Sequence, residues 1–502
     1  MSTLKRFAGQ TAIYGFSNIL SRTLNFILTP LYLGLFATSA YGVFTLLFSW
    51  TSIVAAFLSL GMETTYFRFL NKSDDKKQVF QNSFLTLSLT AILFGLTALL
   101  FFPQIIQYFQ KDISTSQIDY TPFLYFFLGF IILDNLNVIP FARLRSENRP
   151  LRYGIIKTSG ILIFIGLNLF FLLALPHLAS LKGPLGTFFN HFYIPHWIGY
   201  VFISNLIMSA YSLLWLSPYL KDIRLKMDWT LFKSMLSYSW PILIANLSYI
   251  INENLDKIYL KALLPQKDML KQLGIYSACY KLAIFLNLFI QAFRLGAEPF
   301  FFSHASHPDS KKTYAQIMYY FVMVVALISL GILANISWLK YFLHDSRYWV
   351  GLDVVPILVY GYVCLGIYMN LSVWYKLSDQ TQFGFYISGI GALITLILNP
   401  ILIPFMGYMG SAWTTLGAYF IMMLISYIWG QKFYPIPYPL GKIVLILILS
   451  LLLSICSFSF FHQNFWWGNF CLIVFIGFLF FMNRKDWLRG FQALKNKESL
   501  KI

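Results

Sequence analysis

Within the apolar run from Tyr280 to Phe302, four polar side chains recur at spacings of 4, 3 and 4: Asn287, Gln291, Arg294 and Glu298. On an α-helix that rhythm gathers all four within about 60° of arc, leaving the rest of the surface apolar. Lys281 lies about a third of a turn to the side. Carboxamides hydrogen-bond hydroxyls, and a guanidinium offers a planar fork of donors that matches phosphate. Such a seam is what a solvated groove between helices would need. The spacing repeats near the start of the chain, at Asn18, Arg22, Asn25 and Thr29. A third stretch places Asn246, Tyr249, Glu253, Asp256 and Lys257 along one helical face.

These residues sit in segments that read as membrane-embedded. A charged side chain at the bilayer centre costs about 2.5–3.5 kcal/mol on insertion scales. Arg22 and Arg294 therefore line a polar cavity or are neutralised by partners. Pairing of Arg294 with Glu298 one turn away, and of Arg22 with carbonyls at a helix kink, is the purely structural alternative. Asp134, in IILDNLNVIP, is the carboxylate well inside the N-terminal half. It would bind a proton or Na⁺, or hydrogen-bond a neighbouring helix; Glu253 and Glu298 are the other candidates for ion coupling or charge pairing. Arg68 and the RLRSENRPLR stretch, Arg143–Arg152, read as anchors at anionic headgroups, with contact to a ligand phosphate as the alternative.

Composition sets the frame for these side chains. Of 502 residues 58% are hydrophobic and 11% charged, with a mean hydropathy of +0.66; a soluble chain carries roughly 25% charged residues. Continuous apolar runs of about twenty residues, not short alternating ones, make this an all-α polytopic membrane protein rather than a barrel. About fourteen spans can be drawn, the first over 11–36 and the seventh over 230–255. The first run is long and lacks a cleavage site, so it reads as a span and not a signal peptide. Cys279, Cys364, Cys456 and Cys471 all lie in apolar runs and act as small hydrophobes. Neither they nor the seven scattered histidines suggest a metal or cofactor site.

The net charge of +18 is distributed as loop charge. With a cytoplasmic N-terminus, 26 of the 37 Lys and Arg fall on the inside and 8 on the outside, the latter including Lys257 and Lys261. That bias places both termini in the cytoplasm and leaves no basic domain for nucleic acid. No long hydrophilic segment is present to form a soluble catalytic domain, so the chain does not read as an enzyme.

Weak internal repetition organises the spans. LSLGMETTYFRF (Leu58–Phe69) matches FRLGAEPFFFSH (Phe293–His304), both with Leu-Gly-x-Glu and an aromatic cluster. YGVFTLLF from Tyr41 pairs with LGIYSACY from Leu273, and LNLFFLLALP from Leu167 with LNPILIPFMG from Leu398. The matches lay spans 1–6 over spans 7–12. The expected division is an N-terminal six-helix lobe over 1–217, a cytoplasmic linker over 218–229, a C-terminal six-helix lobe over 230–432, two added transmembrane helices over 433–483, and a basic tail over 484–502.

The stretch LNPILIPFMGYMGSAWTTLGAYF (Leu398–Phe420) resembles a segment of bacterial polysaccharide-biosynthesis flippases of the multidrug/oligosaccharidyl-lipid/polysaccharide (MOP) superfamily. Asn399, Ile403, Pro404, Gly407, Gly410 and Ala412 carry the match, with Ser411 replacing an alanine. The opening SNILSRTLNFILTPLYLGLFATSAYGVFTL is similar to the family's start. The resemblance implies two six-helix lobes around a central cavity, as in the MATE-like fold, with no cofactor. It implies a polyprenyl-pyrophosphate-linked oligosaccharide as substrate, moved to the outer leaflet of the bacterial inner membrane by alternating access. Related peptidoglycan-precursor flippases carry an essential arginine in the first span, at a place that maps approximately onto Arg22. Membrane lipids, a H⁺ or Na⁺ counter-ion and polysaccharide polymerase or export machinery are the other partners so implied. On that reading Arg22, Arg294, Lys281, Asn18, Asn25, Asn287 and Gln291 form a cationic substrate cavity. A cation-coupled multidrug antiporter of the same superfamily is the alternative, and a membrane glycosyltransferase a more distant one.

Overall fold

In a bilayer every backbone group must find its partner inside the chain, which leaves the helix as the natural element for these apolar runs. The computed structural model describes residues 26–110, 119–147, 149–221, 223–224, 226–305, 307–378 and 380–484. Among them the regular structure is helical, with no strand. Twelve helices are long and apolar enough to cross a membrane, from Thr38–Lys72 to Phe465–Met482. They correspond one for one to the expected spans other than the first and the seventh. Most of the first, with Asn18, Arg22 and Asn25, lies outside the described residues. The seventh is a continuous helix, Trp229–Leu263; its polar face keeps it out of the apolar set.

Capping and hydroxyl chemistry explain how these helices start and stay closed. Asp228 accepts from the amides of Thr230 and Leu231 at the head of Trp229–Leu263, at 2.9 and 3.0 Å. Asn464 does the same for Phe465–Met482. Within the spans, Thr45, Ser49, Ser83, Thr86 and Ser329 return their hydroxyl protons to the carbonyl one turn back. A hydroxyl at membrane depth is thereby satisfied without water.

The chain divides into two compact units, Met1–Ser277 with Gly384–Thr414, and Ala278–Phe383 with Thr415–Ile502. The division falls within the helix Met269–His304 rather than at the linker 218–229. In the first unit that linker is fastened along its length. Gln81 donates to the Lys226 carbonyl and accepts from the Arg224 amide, and the fully buried Asn82 exchanges two hydrogen bonds with the backbone of Asp228.

The repeat-matched segments share contacts as well as letters. Asn168 and Asn399 are both fully buried, and both donate to the carbonyl four residues back. Asn168 then accepts from the Tyr32 hydroxyl at 2.9 Å and Asn399 from the Ser411 hydroxyl at 3.2 Å. The matched glycines Gly42 and Gly274 face each other in the first unit. A Cβ on Gly42 would lie 2.1 Å from the Leu270 carbonyl oxygen, and one on Gly274 1.9 Å from that of Thr38. The Leu-Gly-x-Glu pair diverges in backbone. Gly61 adopts φ +64° and separates Thr38–Leu58 from Met62–Lys72, whereas Gly296 lies inside a continuous helix.

Gly42→Ala should lower the melting temperature of the detergent-purified protein, with a loss of about 1–3 kcal/mol from overpacking. Gly296→Ala, where a Cβ meets nothing within 4 Å, should leave it unchanged or raise it.

Candidate substrate-binding site

In the second unit, the Met269–His304 helix turns its polar seam toward Val354–Leu371 and Val373–Leu377. Ile290, Phe293, Phe321 and Val373 provide apolar walls; Arg294, Glu298, Asn370 and Lys376 provide the polar ones. The space between them is about 20 Å³, room for one water. Gln291, 7% exposed, donates to the Asn287 carboxamide oxygen at 3.3 Å and approaches the Met369 sulfur at 3.9 Å.

Charge in this pocket is arranged differently from a simple pair along one helix. Lys376 donates to Glu298 and forms its ion pair; Arg294 is not the partner of that carboxylate. The Nε of Arg294 and the Nδ2 of Asn370 are both buried without an acceptor. Among the described lining residues Glu298 is the one carboxylate, and Lys376 already neutralises it. The remaining charge is the Arg294 guanidinium. Two unanswered donors and one uncompensated cation suit an anionic or oxygen-rich group.

The other expected residues are placed as follows. Lys281 is half-buried on the same helix and does not line this pocket. Asn18, Arg22 and Asn25 lie outside the described residues. Asp134 and Glu253 belong to the first unit. Asp134 accepts from the Ser209 hydroxyl at 2.6 Å, and Asn137 donates to the Ser209 carbonyl at 3.0 Å. These contacts tie Thr121–Ser146 to Gly199–Leu216, while Lys157 is close enough to interact with the Asp134 charge. Asn135 reaches the other way, to the Leu87 carbonyl. Glu253 is half-buried, and its carbonyl accepts from the Lys257 ammonium at 2.8 Å.

Around Glu253 runs a network that continues past the expected end of the seventh span. Lys257 and Lys261, counted above as outside-loop charges, lie on the Trp229–Leu263 helix and are 8% and 3% exposed. Lys257 pairs with Asp256 at 2.9 Å, Tyr276 donates to the other Asp256 oxygen at 2.7 Å, and Lys261 donates to the Tyr108 carbonyl. About two further turns of helix, beyond where hydropathy stopped, bury these side chains.

Lys376 and Asn370 are the site residues that spacing along one helix could not reveal. The repeat did hold the signal. Glu63 and Glu298 are the matched glutamates of the two Leu-Gly-x-Glu segments. Glu63 is ion-paired with Arg145, at the end of the fourth span, and Glu298 with Lys376, at the end of the tenth.

Comparison with known proteins identifies the class first. The structure is similar to that of "Lipid II flippase MurJ, inward closed conformation", with TM-score 0.67 and 16% identity over 93% of this chain and 98% of that one. It is also similar to "Inward-facing conformation of a multidrug resistance MATE family transporter of the MOP superfamily", with TM-score 0.60 and 13% identity over 85% and 95%. A mutant of the Vibrio cholerae MATE transporter VcmN gives TM-score 0.59 and 13% identity over 85% and 96%. The fold is therefore MurJ- and MATE-like, in an integral membrane protein. No curated protein matches the sequence. The family model for polysaccharide biosynthesis protein matches residues 8–303, and the chain belongs to that family.

Removing Lys376 strands a partly buried carboxylate. Lys376→Met should cost about 1–3 kcal/mol, read as a lower melting temperature. Adding Glu298→Gln to that variant should restore at least half of the loss.

Proposed function

We propose that the protein is a flippase that carries a polyprenyl-pyrophosphate-linked oligosaccharide from the cytoplasmic to the outer leaflet of the bacterial inner membrane, for cell-surface polysaccharide synthesis. One observation carries this reading: Arg294 enters a pocket whose sole described carboxylate is already engaged, with its Nε and the Asn370 amide still open. A diphosphate supplies the charge and the acceptor oxygens that these donors lack. Asn287 and Gln291 continue the polar line for glycan hydroxyls, and the polyprenyl tail needs no polar path because it stays in lipid. Membership of the polysaccharide biosynthesis family supports the glycan.

The pocket as it stands admits about one water, so the headgroup enters only after the seam helix and the Val354–Leu377 segment separate. Alternating access supplies that opening. Asp134 and Glu253 are the candidates for a H⁺ or Na⁺ counter-ion; polymerase or export machinery would receive the product. The work is displacement of a lipid, with no bond made or broken. Export of cationic drugs, the rival reading, needs a free carboxylate where Glu298 is held by Lys376.

Arg294→Ala should slow flipping of a fluorescent polyprenyl-pyrophosphate glycan in proteoliposomes by about 10–100-fold, the equivalent of one lost charged hydrogen-bond set. Arg294→Lys, a point charge without the fork, should recover only part of it. Wild-type rates for Arg294→Ala at equal reconstituted protein would exclude the site.

A further inference from the structure

A second cationic cavity lies in the first unit, away from the seam just described. It has a volume of about 260 Å³ and opens where Met62–Lys72 and Thr121–Ser146 end and Lys76–Leu100 begins. Lys76, Lys77 and Arg143 bring positive charge to its wall, Ser146 and Gln81 line it with side chains engaged within the protein, and Glu147 is its carboxylate. We propose that this cavity binds the phosphate of a phosphorylated headgroup.

The balance of charge within the cavity favours an anion. Glu147 is already held from two sides, by the Arg143 Nε at 2.7 Å and the Arg149 Nε at 3.1 Å. Lys76 and Lys77 have no carboxylate or hydrogen-bond partner among the described residues. Both occupy the first turn of Lys76–Leu100, whose N-cap Asp75 is engaged by the Gln78 amide and does not line the cavity.

The walls are built, not left over. The Arg143 guanidinium is fixed by the Tyr219 carbonyl at 2.8 Å and lies 4.5 Å over the Phe80 ring. Tyr219 itself is ringed by Arg143, Arg149 and Arg152, at 4.9–5.7 Å from its centroid, and accepts from Arg149 at its hydroxyl. Gln81, on the floor, spends its carboxamide on the backbone of the linker, which brings Ile223 over the cavity. Arginine placed rigidly and lysine placed flexibly is a combination that suits a tetrahedral, multiply charged oxyanion. With the orientation that loop charge implies, the cavity faces the cytoplasm. Its ligand then comes from a lipid headgroup in the inner leaflet or from a soluble phosphate.

The probe is inorganic pyrophosphate, titrated calorimetrically into the full chain carrying Arg294→Ala, so that the seam site contributes nothing. Binding should persist in that background and weaken about tenfold or more on adding Lys76→Gln and Lys77→Gln. It should return with Lys76→Arg and Lys77→Arg, which also shows that the fold survives substitution. Equal affinity for the Gln and parent proteins, or no binding by the parent, would overturn this cavity as a phosphate site while leaving the seam reading untouched. Repeating the titration in vesicles separates the sources. Loss of pyrophosphate binding in phosphatidylcholine with phosphatidylglycerol, but not in phosphatidylcholine alone, assigns the cavity to a lipid phosphate; retention in both assigns it to a soluble or substrate phosphate.

Discussion

An ionised side chain at membrane depth has no water to turn to, so the protein must answer it. That requirement shapes both units. In the first, Asp256 is met by Lys257 and Tyr276; in the second, Glu298 is met by Lys376. Each solution draws its partner from a different source, one from the neighbouring residue and a following helix, the other from 78 positions away. The answer is incomplete at the Nε of Arg294 and the amide of Asn370, which are buried without an acceptor.

The spans were legible because hydropathy is a local property. Twelve long apolar helices stand where the apolar runs stand, and the 4-3-4 rhythm of Asn287, Gln291, Arg294 and Glu298 does describe one helical seam. Tertiary pairing was not legible in the same way. Arg294 and Glu298 are one turn apart, and proximity along the helix suggested a pair; the side chain that takes the carboxylate instead rises from the end of another helix. The loop reading of Lys257 and Lys261 failed for a related reason. A charged turn at the end of an apolar run looks like solvent-exposed chain, whereas here the helix continues to Leu263 and folds both ammonium groups into the protein.

Short internal matches proved to hold more than each promised alone. One pair of asparagines, one pair of glutamates and two pairs of glycines fall in aligned segments. Asn168 and Asn399 share a hydrogen-bonding habit, and Glu63 and Glu298 each meet a basic residue at the end of a later helix of the same unit. The likeness lies in the pairing and not in the backbone, since Gly61 breaks its helix and Gly296 does not. Duplicated scaffolds diverge in this manner: the bonds that seal a helix persist, and the backbone around them is re-cut.

Gly42 and Gly274 bring two main chains together with nothing but hydrogen atoms in between. Ordinary helix pairs interlock through knobs, and changing their angle forces side chains to jump from one rotamer well to the next. A bare seam of this type lacks such teeth. Its two helices approach until main-chain atoms meet, and carbonyl oxygens set the limit of approach in place of methyl groups.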